Sequence, residues 1–503
     1  MKGIVYLIGA GPGDPGLMTV KGLECLRRAE VVVYDYLANP AFLDEAPEDA
    51  ERIYVGKRKG KHHRPQEEIT RLLVEKARLG KVVARLKGGD PYVFGRGGEE
   101  AHTLHLEGIP FEVIPGVTAG FAAAAYAGIP LTHRDYTTSL GLVTGHETPA
   151  KKISSIDWDR LATGVGTLVF YMGMANLPLI VGKLMAHGRS PQTPVAIIRW
   201  ATTPHQKTLV ATLGTVEERV HQAQLKPPAV IVVGEVVGLR EKLRWFDNRP
   251  LFGKRILVTR TAEQAGSFTK LLEAQGAEAI ACPVIAIAPP AGWDELDGEI
   301  RDLGKTDFLI LTSANGVDAF FARLAVAGLD VRALHGVQVV SVGPKTSQTI
   351  SARGIRPDLE PAEFRAEAVV ELLKKEGVSG KRVLYPRAEL ARKLIPAELA
   401  AAGADVHAPV AYRTVPPEGG GERIRDLLAE GGIDAVTFTS SSTVENFLDM
   451  VGEGAQRLLE RVDVFSIGPL TTATAERRGL SVSAQPEAYT LEGLIESMVE
   501  YYQ

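Results

Sequence analysis

One stretch near the amino terminus constrains the fold more than any other: the apolar run Ile4–Ile8 leads directly into a loop rich in glycine and proline, Gly9–Gly16. Thr19 can cap a helix that follows this loop. Three apolar residues of that helix recur at the spacing of one helix face: Val20, Leu23 and Leu26. A strand, a glycine loop and a helix in this order are typical of the first unit of an open α/β sheet, whose ligand binds outside the carboxyl end of the strand.

The residues of this loop allow two kinds of ligand. Gly9 and Gly11 fit the start of the dinucleotide motif G-x-G-x-x-G, and Asp35 ends the next apolar run at the distance expected of a ribose-binding acid. However, Asp14 replaces the third glycine of that motif and would place a carboxylate against a pyrophosphate. Two prolines also remove amide donors from the loop. A neutral or cationic ligand therefore fits better than a dinucleotide.

Length and composition set outer limits on the protein class. At 503 residues the chain is too long for one core, so roughly three or four domains are expected. Its 45% hydrophobic and 23% charged residues are ordinary for a soluble protein, and no apolar run is long enough to cross a bilayer. The two distant cysteines, Cys25 and Cys282, form no metal-ligand pattern, and no secretory signal is recognisable. We expect a cytoplasmic protein without a metal ion, a membrane contact or a nucleic-acid partner.

A domain boundary is expected near residue 250. Residues 244–253 have no clear hydrophobic period and end in turn residues, after which residues 254–260 open a new strand. We therefore predict an amino-terminal region over residues 1–245, with subdomains 1–133 and 134–245. A linker over residues 246–253 and a carboxyl-terminal region over residues 254–503 follow.

The amino-terminal region contains a second glycine loop and a cationic segment. Val82–Leu86 reads as a strand that feeds the loop Lys87–Gly98, and two such loops predict one shared crevice. Lys57–Arg64 holds five permanent cations and two histidines, which form either a solvated surface loop or a grip for a polyanion. After a small-residue helix at Phe121–Ala127, a second α/β unit is predicted from four apolar strands: Leu140–Thr144, Thr167–Tyr171, Val195–Trp200 and Ala229–Val233.

The amino-terminal region resembles the uroporphyrinogen-III C-methyltransferases of the tetrapyrrole methylase family. The resemblance rests on nine motifs: Val5–Gly16, Tyr34–Asp35, Val55–Arg58, Arg85–Gly98, Pro115–Thr118, Leu131–Asp135, Thr144–His146, Tyr171–Gly173 and Lys226–Gly234. It implies that S-adenosylmethionine binds between two α/β subdomains and leaves as S-adenosylhomocysteine, and that the chain forms a homodimer through this region.

The same resemblance implies the site residues. Asp35 is expected as proton acceptor and Lys57 as proton donor. The cofactor contacts are expected at Pro12, Gly88, Gly89, Asp90, Val93, Thr118, Ala119, Met172, Ala201 and Ala229. Ala201 stands where the family commonly has glycine, so its methyl group is expected to crowd the cofactor. The octacarboxylate substrate would be held by cations at Arg58, Lys59, Lys61, Arg85 and Arg96, because guanidinium groups bind carboxylates at two points.

The carboxyl-terminal region contains an internal repeat. Residues 307–313 resemble residues 434–440 at an offset of 127, and Arg260 and Arg387 follow similar strands at the same offset. Ser341–Pro344 resembles Ser466–Pro469 at an offset of 125. Two similar α/β lobes are therefore predicted. The hydroxyl-rich loops 312–316 and 439–443 each precede a helix, so they cap it or offer donors to anions.

Residues 254–503 resemble uroporphyrinogen-III synthase. The shared motifs are Arg255–Arg260, Thr312–Val317, Ser341–Pro344, Leu384–Arg387, Val410–Arg413, Phe438–Ser441 and Ile467–Thr471. The resemblance implies two Rossmann-like lobes, residues 254–286 with 414–503 and residues 287–413, joined by crossing strands. Tyr412 is expected to assist loss of the substrate hydroxyl, or else to be a buried structural tyrosine. Substrate contacts are expected at Arg260, Thr312, Ser313, Arg387, Thr439, Ser440 and Thr471.

The two resemblances together predict a fusion of consecutive enzymes. The carboxyl-terminal half would cyclise hydroxymethylbilane to uroporphyrinogen III with inversion of the last ring, and the amino-terminal half would methylate that product twice to precorrin-2, on the way to sirohaem or cobalamin. The alternative is a methyltransferase fused to a non-catalytic tetrapyrrole sensor. Turnover of hydroxymethylbilane discriminates between these two functions.

Overall fold

The structure is a computed structural model that describes residues 3–56, 65–146, 155–260, 262–417 and 420–503. These residues form two compact units. One unit contains the chain up to Arg255 together with Leu271–Glu278 and Tyr502–Gln503. The other contains Ile256–Lys270 and Ala279–Tyr501. Strands and helices alternate along much of the chain, which confirms the predicted α/β class.

The first sheet has five parallel strands in the order β3-β2-β4-β1-β5. Alternate residues of β1, which pairs with β4 and β5, are buried on opposite faces: Val5 and Leu7 enter one core, whereas Ile8 enters the other. Because both faces are covered, the strand reads as a continuous apolar run. The strands are β1 (Ile4–Gly9), β2 (Val31–Tyr34), β3 (Glu51–Tyr54), β4 (Val82–Lys87) and β5 (Phe111–Ile114).

The second sheet is mixed, with the order β6-β7-β10-β8-β9. Only its β6–β7 pair is parallel, while β10 pairs antiparallel with β7 and β8, and β9 pairs antiparallel with β8. Leu168 and Phe170 lie in one core and Val169 and Tyr171 in the other. The strands are β6 (Leu140–Thr144), β7 (Thr167–Tyr171), β8 (Pro194–Arg199), β9 (Lys207–Thr212) and β10 (Ala229–Val233).

Eight α-helices accompany these two sheets among the described residues. They are α1 (Val20–Leu26), α2 (Gln66–Arg78), α3 (Gly97–Leu106), α4 (Ala119–Tyr126), α5 (Trp158–Gly164), α6 (Leu177–Ala186), α7 (Val216–Gln222) and α8 (Arg240–Leu243). Thr19 caps α1 by accepting a hydrogen bond from the Gly22 amide, as predicted. The expected packing of Val20 is wrong, because its side chain is 76% exposed at the start of this two-turn helix while Cys25 and Leu26 are buried.

Three further sheets are built from the carboxyl-terminal strands. Their orders are β12-β11-β20-β21, β15-β14-β16-β18 and β13-β19-β17. The strands are β11 (Arg255–Val258), β12 (Glu278–Ala281), β13 (Ala286–Ala288), β14 (Phe308–Leu311), β15 (Gln338–Ser341), β16 (Arg382–Leu384), β17 (Arg387–Ala388), β18 (Asp405–His407), β19 (Val410–Val415), β20 (Ala435–Phe438) and β21 (Asp463–Ser466).

The third of these sheets contains parts of the two segments, Ala281–Ala288 and Ala408–Val415, that the resemblance to the synthase predicts to cross between the lobes. Strand β13 pairs antiparallel with β19, and Ala288 lies opposite Arg413. The helices of this part of the chain are α9 (Ala262–Ala274), α10 (Asp294–Arg301), α11 (Ala314–Val326), α12 (Pro344–Ala352), α13 (Ala366–Glu376), α14 (Leu394–Ala401), α15 (Gly420–Ala429), α16 (Ser441–Val451), α17 (Ala455–Leu459), α18 (Pro469–Arg477) and α19 (Leu491–Tyr502).

The sequence repeat corresponds to repeated hydrogen bonding. Ser313 caps α11 by accepting from the Gly316 amide, and Ser440 caps α16 by accepting from the Thr443 amide, 127 residues later in each case. At the 125-residue offset, the Ser341 hydroxyl bonds to that of Ser347, and the Ser466 hydroxyl bonds to that of Thr472, both at 2.5 Å. The two four-stranded sheets are thus related down to single side-chain contacts.

The strand predictions recovered the strands that read as apolar runs and missed two edge strands that do not. Strands β6, β7 and β10 have the predicted bounds, although β6 lies at a sheet edge, whereas β3 and β9 were not predicted. Both lie at the edge of a sheet, and their residues are exposed or half-buried, so neither produces an apolar run. Strand β8 ends one residue before the prediction, because Trp200 adopts a positive φ of 49°.

Candidate active sites

The two glycine loops of the first unit meet at the carboxyl edge of the first sheet. The Gly89 amide donates to the Gly11 carbonyl at 2.7 Å, and the Gly11 amide donates to the Gly89 carbonyl at 3.2 Å. Gly116, after β5, donates its amide to Asp90 Oδ2 at 3.1 Å. The loops after β1, β4 and β5 therefore form one floor, and the predicted shared crevice lies there.

This floor depends on backbones that approach more closely than a side chain permits. A Cβ added to Gly9 would lie 2.4 Å from the Gly116 amide nitrogen and 2.8 Å from the Gly89 carbonyl oxygen. A Cβ on Gly88 would lie 2.6 Å from Cβ of Leu37, in the loop after β2. The glycines at these positions are thus required by close packing of four loops.

Loops of the second sheet complete the crevice. The Tyr171 hydroxyl, at the end of β7, lies 2.8 Å from the Thr118 hydroxyl and accepts a hydrogen bond from the Gly120 amide at 3.0 Å. Burial raises the pKa of Tyr171, so it remains a neutral hydroxyl. The Phe94 ring packs on Tyr171 with centroids 5.0 Å apart, and Tyr36 meets Trp200 edge-on at 5.7 Å. The predicted contacts Thr118 and Ala119 therefore lie between the two sheets.

Backbone strain is concentrated on the same loops. Among the described residues, six positions other than glycine have a positive φ, and five of them follow β4, β7 or β8: Phe94, Arg96, Met172, Trp200 and Thr202. Such conformations cost roughly 1–3 kcal/mol each and cluster at ligand sites. Met172 is also 52% exposed. Of these five residues, only Met172 and Arg96 were singled out from the sequence, because nothing in a bulky residue's identity signals this conformation.

Asp35, the expected proton acceptor, is held by a buried group of charges. Its Oδ2 accepts from Arg85 Nη2 at 3.0 Å and its Oδ1 from the Leu37 amide at 3.1 Å. Behind Arg85 lies the fully buried Glu100, whose Oε1 is 3.0 Å from Lys87 Nζ and 3.4 Å from Arg85 Nε. Burial and then the Arg85 charge lower the pKa of Lys87, while Glu100 opposes them. The positive charges of Arg85 and Lys87 are thus compensated by the carboxylates of Asp35 and Glu100.

The two described cations that were expected to bind substrate carboxylates, Arg85 and Arg96, differ in exposure. Arg85 was expected to reach the substrate, but its side chain is 4% exposed and bonded to Asp35, Glu100 and the Leu86 carbonyl. Its substrate contact stays a prediction, and Glu100 is the partner that sequence reasoning missed. Arg96 is exposed and pairs with Glu99 at 2.5 Å. The remaining expected contacts, Lys57, Arg58, Lys59 and Lys61, lie outside the described residues.

The side chains and backbone groups that line the crevice suit the chemistry of the expected cofactor. Its loops expose large apolar side chains that a soluble protein otherwise covers: Tyr36, Leu37, Tyr92, Phe94 and Met172. Asp90 is occupied by the amides of Tyr92 and Gly116 and so fixes the loop. Apolar walls, backbone amides and carboxylates without an excess of cations suit an adenosine with a cationic sulfonium. Pro12 and Ala201 are half-buried in the loops after β1 and β8, Val93 packs on the second sheet, and Ala229 is the first residue of β10.

In the second unit, the hydroxyl-rich loops lie at the carboxyl ends of β14 and β20. Ser313 Oγ is 3.0 Å from the Tyr412 hydroxyl, so the expected hydroxyl-activating tyrosine and an expected substrate contact are brought together. Tyr412 is half-buried on β19 and packs on the core of one lobe. In the other lobe, Ser440 Oγ lies 3.0 Å from Ser442 Oγ, and Thr439 is half-buried beside it.

The other expected contacts of this unit are Arg387, which is bonded to the backbone, together with Arg260, Thr312 and Thr471. Arg387 donates to the carbonyls of Ala408, Ala388 and Glu389 at 2.9–3.1 Å. Burial lowers the pKa of the Arg260 guanidinium. Thr471 is buried in the first turn of α18, whereas Thr312 is half-buried. The roles of these residues as substrate contacts stay predictions.

The described residues contain no group of three or more histidine, cysteine, aspartate or glutamate side chains arranged to hold a metal ion. Within the same residues, no helix has both the length and the apolar character needed to cross a bilayer.

Comparisons with known proteins divide the chain at the same place as its sheets. The sequence profile of the tetrapyrrole (corrin/porphyrin) methylases matches residues 4–217, and that of uroporphyrinogen-III synthase HemD matches residues 266–496. The chain is 37% identical over 498 residues to a porphyrin biosynthesis protein HemD of Ruminiclostridium josui, which covers 99% of this chain and 98% of the relative. The chain belongs to the tetrapyrrole methylase and uroporphyrinogen-III synthase families, joined in this order.

Two further relatives match the methylase family. A uroporphyrinogen-III C-methyltransferase of Bacillus subtilis is 41% identical over 364 residues, 71% of this chain and 74% of the relative. The crystal structure of a uroporphyrin-III C-methyl transferase from Thermus thermophilus, complexed with S-adenyl homocysteine, is 42% identical, with a TM-score of 0.41. It covers 47% of this chain and 100% of the Thermus chain. Below, the methylase half denotes β1–β10 with α1–α8, and the synthase half denotes β11–β21 with α9–α19.

The balance of buried charges in the methylase half predicts a stability effect. Glu100→Gln preserves volume but leaves Arg85 and Lys87 with one carboxylate fewer, so we expect a loss of about 3 kcal/mol in the free energy of unfolding. The double variant Glu100→Gln/Lys87→Met restores neutrality and should recover much of this loss. Urea denaturation measures both. A Glu100→Gln variant as stable as the parent protein would contradict the claim that Glu100 compensates the charges of Arg85 and Lys87.

The close approach of the glycine loops predicts a binding effect. Gly9→Ala forces the loops after β1 and β5 apart, so we expect a loss of about 1–3 kcal/mol in stability and weaker S-adenosylmethionine binding. The matched control is Gly182→Ala in α6, where an added methyl group meets no atom within 4 Å and should be neutral or slightly stabilising. Calorimetric titration is the measurement. Parental affinity in Gly9→Ala would contradict the packing argument.

Proposed function

We propose that the synthase half closes hydroxymethylbilane to uroporphyrinogen III with inversion of the last ring, and that the methylase half transfers two methyl groups to this product to give precorrin-2. The proposal is supported by two profile matches to enzymes of adjacent steps and by a relative that spans nearly the whole chain. Precorrin-2 is a precursor of both sirohaem and cobalamin.

S-adenosylmethionine supplies the methyl group when it is bound in the crevice of the methylase half. The residues proposed to hold it are Pro12, Gly88, Gly89, Asp90, Val93, Thr118, Ala119, Met172, Ala201 and Ala229. Their contribution is alignment, because transfer to a pyrrole carbon depends on the geometry of the reacting atoms more than on a strong nucleophile.

Asp35 is the proposed proton acceptor, and its surroundings suit that role. One oxygen is fixed by the Leu37 amide and the other by Arg85, while the side chain remains 25% exposed toward the crevice. A carboxylate fixed there stabilises the positive charge that develops on the pyrrole as the methyl group arrives, and then takes up the displaced proton. Lys57 is the proposed proton donor, and Arg58, Lys59, Lys61 and Arg96 are proposed to hold substrate carboxylates.

In the synthase half, the pair Tyr412 and Ser313 is proposed to act on the hydroxyl group that leaves as the ring closes. The tyrosine hydroxyl lies 3.0 Å from the serine hydroxyl. It can donate a proton to the leaving group while its hydrogen bond to the serine oxygen holds it in position. The remaining work is conformational, since the substrate must be folded so that the inverted ring forms before spontaneous closure. Thr312, Thr439, Ser440, Thr471, Arg260 and Arg387 are proposed substrate contacts. We also propose a cytoplasmic location and a homodimer formed through the methylase half.

The role of Asp35 is tested by separating binding from chemistry. In Asp35→Ala, we expect methylation of supplied uroporphyrinogen III to fall at least about a hundredfold, because general acid–base groups contribute about 10²–10⁴ in rate. Calorimetry should find unchanged S-adenosylmethionine affinity. A variant that loses cofactor affinity along with activity would remove Asp35 from the catalytic role, and one with parental turnover would exclude it altogether.

A further inference from the structure

The residues that follow α8 pack on the methylase half. We call residues 244–252 the aromatic linker. The Phe246 ring is 5% exposed and lies 4.7 Å from the ring of Tyr126, and the Trp245 ring lies 5.1 Å from Tyr126. The Trp245 indole donates to the Ala125 carbonyl at 3.0 Å.

Two further contacts fix the position of the aromatic linker. A Cβ on Gly128, which has a φ of 69°, would lie 2.6 Å from the backbone of Arg244, so the two backbones touch. Asp247 pairs with Arg240, and both side chains are 11% exposed. The segment that sequence reasoning treated as a connection is therefore seated on the end of α4, where Tyr126 is the last residue.

The hydroxyl group of Tyr126 contacts the loop after β1, which carries the proposed cofactor contact Pro12. The hydroxyl donates to Asp14 Oδ2 at 2.6 Å. Burial first, and then the hydrogen bond to Asp14, raise the pKa of Tyr126 strongly, so it remains a donor. The other oxygen of Asp14 accepts from the Gly16 amide at 2.8 Å. Asp14 is therefore a bridge between α4 and the turn that follows Pro12.

The bridge closes into a ring of four hydrogen bonds. The Asp14 amide donates to Thr202 Oγ1 at 3.0 Å, and the Thr202 amide donates to Gln206 Oε1 at 2.9 Å. Gln206 Nε2 donates to the Tyr126 carbonyl at 3.3 Å and so returns to the start. The ring connects three segments that carry proposed cofactor contacts: the loop with Pro12, the helix that begins at Ala119, and the loop with Ala201.

We propose that Tyr126 and the aromatic linker are positioning elements for the S-adenosylmethionine site. Phe246 and Trp245 fix the ring of Tyr126, its hydroxyl fixes Asp14, and Asp14 fixes the loop after β1 against the loop after β8. This inference rests on the proposed function of the crevice. It assigns the residues after α8 a part in the methyltransferase site in addition to their part as a connection.

The test removes one oxygen atom. In Tyr126→Phe, we expect the dissociation constant and the KM for S-adenosylmethionine to rise about tenfold, because a hydrogen bond to a charged acceptor is lost. At saturating cofactor, kcat should change less than about twofold, since the loops can still be assembled by the bound cofactor. A merely structural tyrosine would instead lower the melting temperature without separating KM from kcat.

A matched control exists in the synthase half, where the Tyr501 hydroxyl donates to Asp463 Oδ1 at 2.8 Å. Tyr501→Phe loses the same kind of hydrogen bond and should leave S-adenosylmethionine affinity unchanged. Phe246→Leu retains an apolar side chain but removes the ring, and should weaken cofactor binding as Tyr126→Phe does. The double variant should bind S-adenosylmethionine no more weakly than the weaker-binding single variant, because both substitutions act through the Tyr126 hydroxyl.

The outcomes separate this inference from the proposed function. If the parent protein binds no S-adenosylmethionine, the proposed function fails. If the parent binds it and Tyr126→Phe binds equally well, the positioning role is overturned while the proposed function stands. If Phe246→Leu binds normally, or if its effect adds fully to that of Tyr126→Phe, the aromatic linker has no part in the site.

Discussion

The methylase half depends on the direct contact between two glycine loops, in which Gly11 and Gly89 exchange backbone hydrogen bonds. Both residues adopt a positive φ of 72°, which favours glycine, and Gly9 and Gly116 behind them leave the backbones free to touch. This contact brings the loops at the carboxyl ends of β1, β4 and β5 together, and these loops form the floor of the crevice. The strained loops of the second sheet, with Met172 and Thr202 at positive φ, then close the crevice from the opposite side.

The synthase half is organised by duplication. Ser313 and Ser440 cap equivalent helices, yet among the described residues only Ser313 is hydrogen-bonded to a tyrosine hydroxyl, that of Tyr412 on β19. The same capping serine thus has a phenolic neighbour in one lobe that its counterpart lacks among the described residues. This asymmetry within a repeated framework is the basis on which we propose that the lobe with Ser313 acts on the leaving hydroxyl.

The sequence predicted a strand correctly where its pattern of residues has only one structural interpretation. The bounds of β7 and β10 were correct because burial on both faces requires a continuous apolar run. Edge strands β3 and β9 left no such pattern.

Charged and aromatic residues were harder to interpret. Arg85 has the same sequence signal whether it faces substrate or pairs with Asp35, and its buried partner Glu100 is distant in sequence. Likewise, the rings of Trp245 and Phe246 have no period that would reveal their contact with Tyr126. Such pairings depend on which elements the folded chain brings together.

The central claim is that one chain performs two consecutive steps, and anaerobic incubation of the intact protein with hydroxymethylbilane tests it most directly. Products would be resolved by isomer and mass, with and without S-adenosylmethionine. The account predicts uroporphyrinogen III without the cofactor and its dimethylated derivative with it. Formation of isomer I alone, while supplied isomer III is methylated, would contradict the account and leave the synthase half as a binding module.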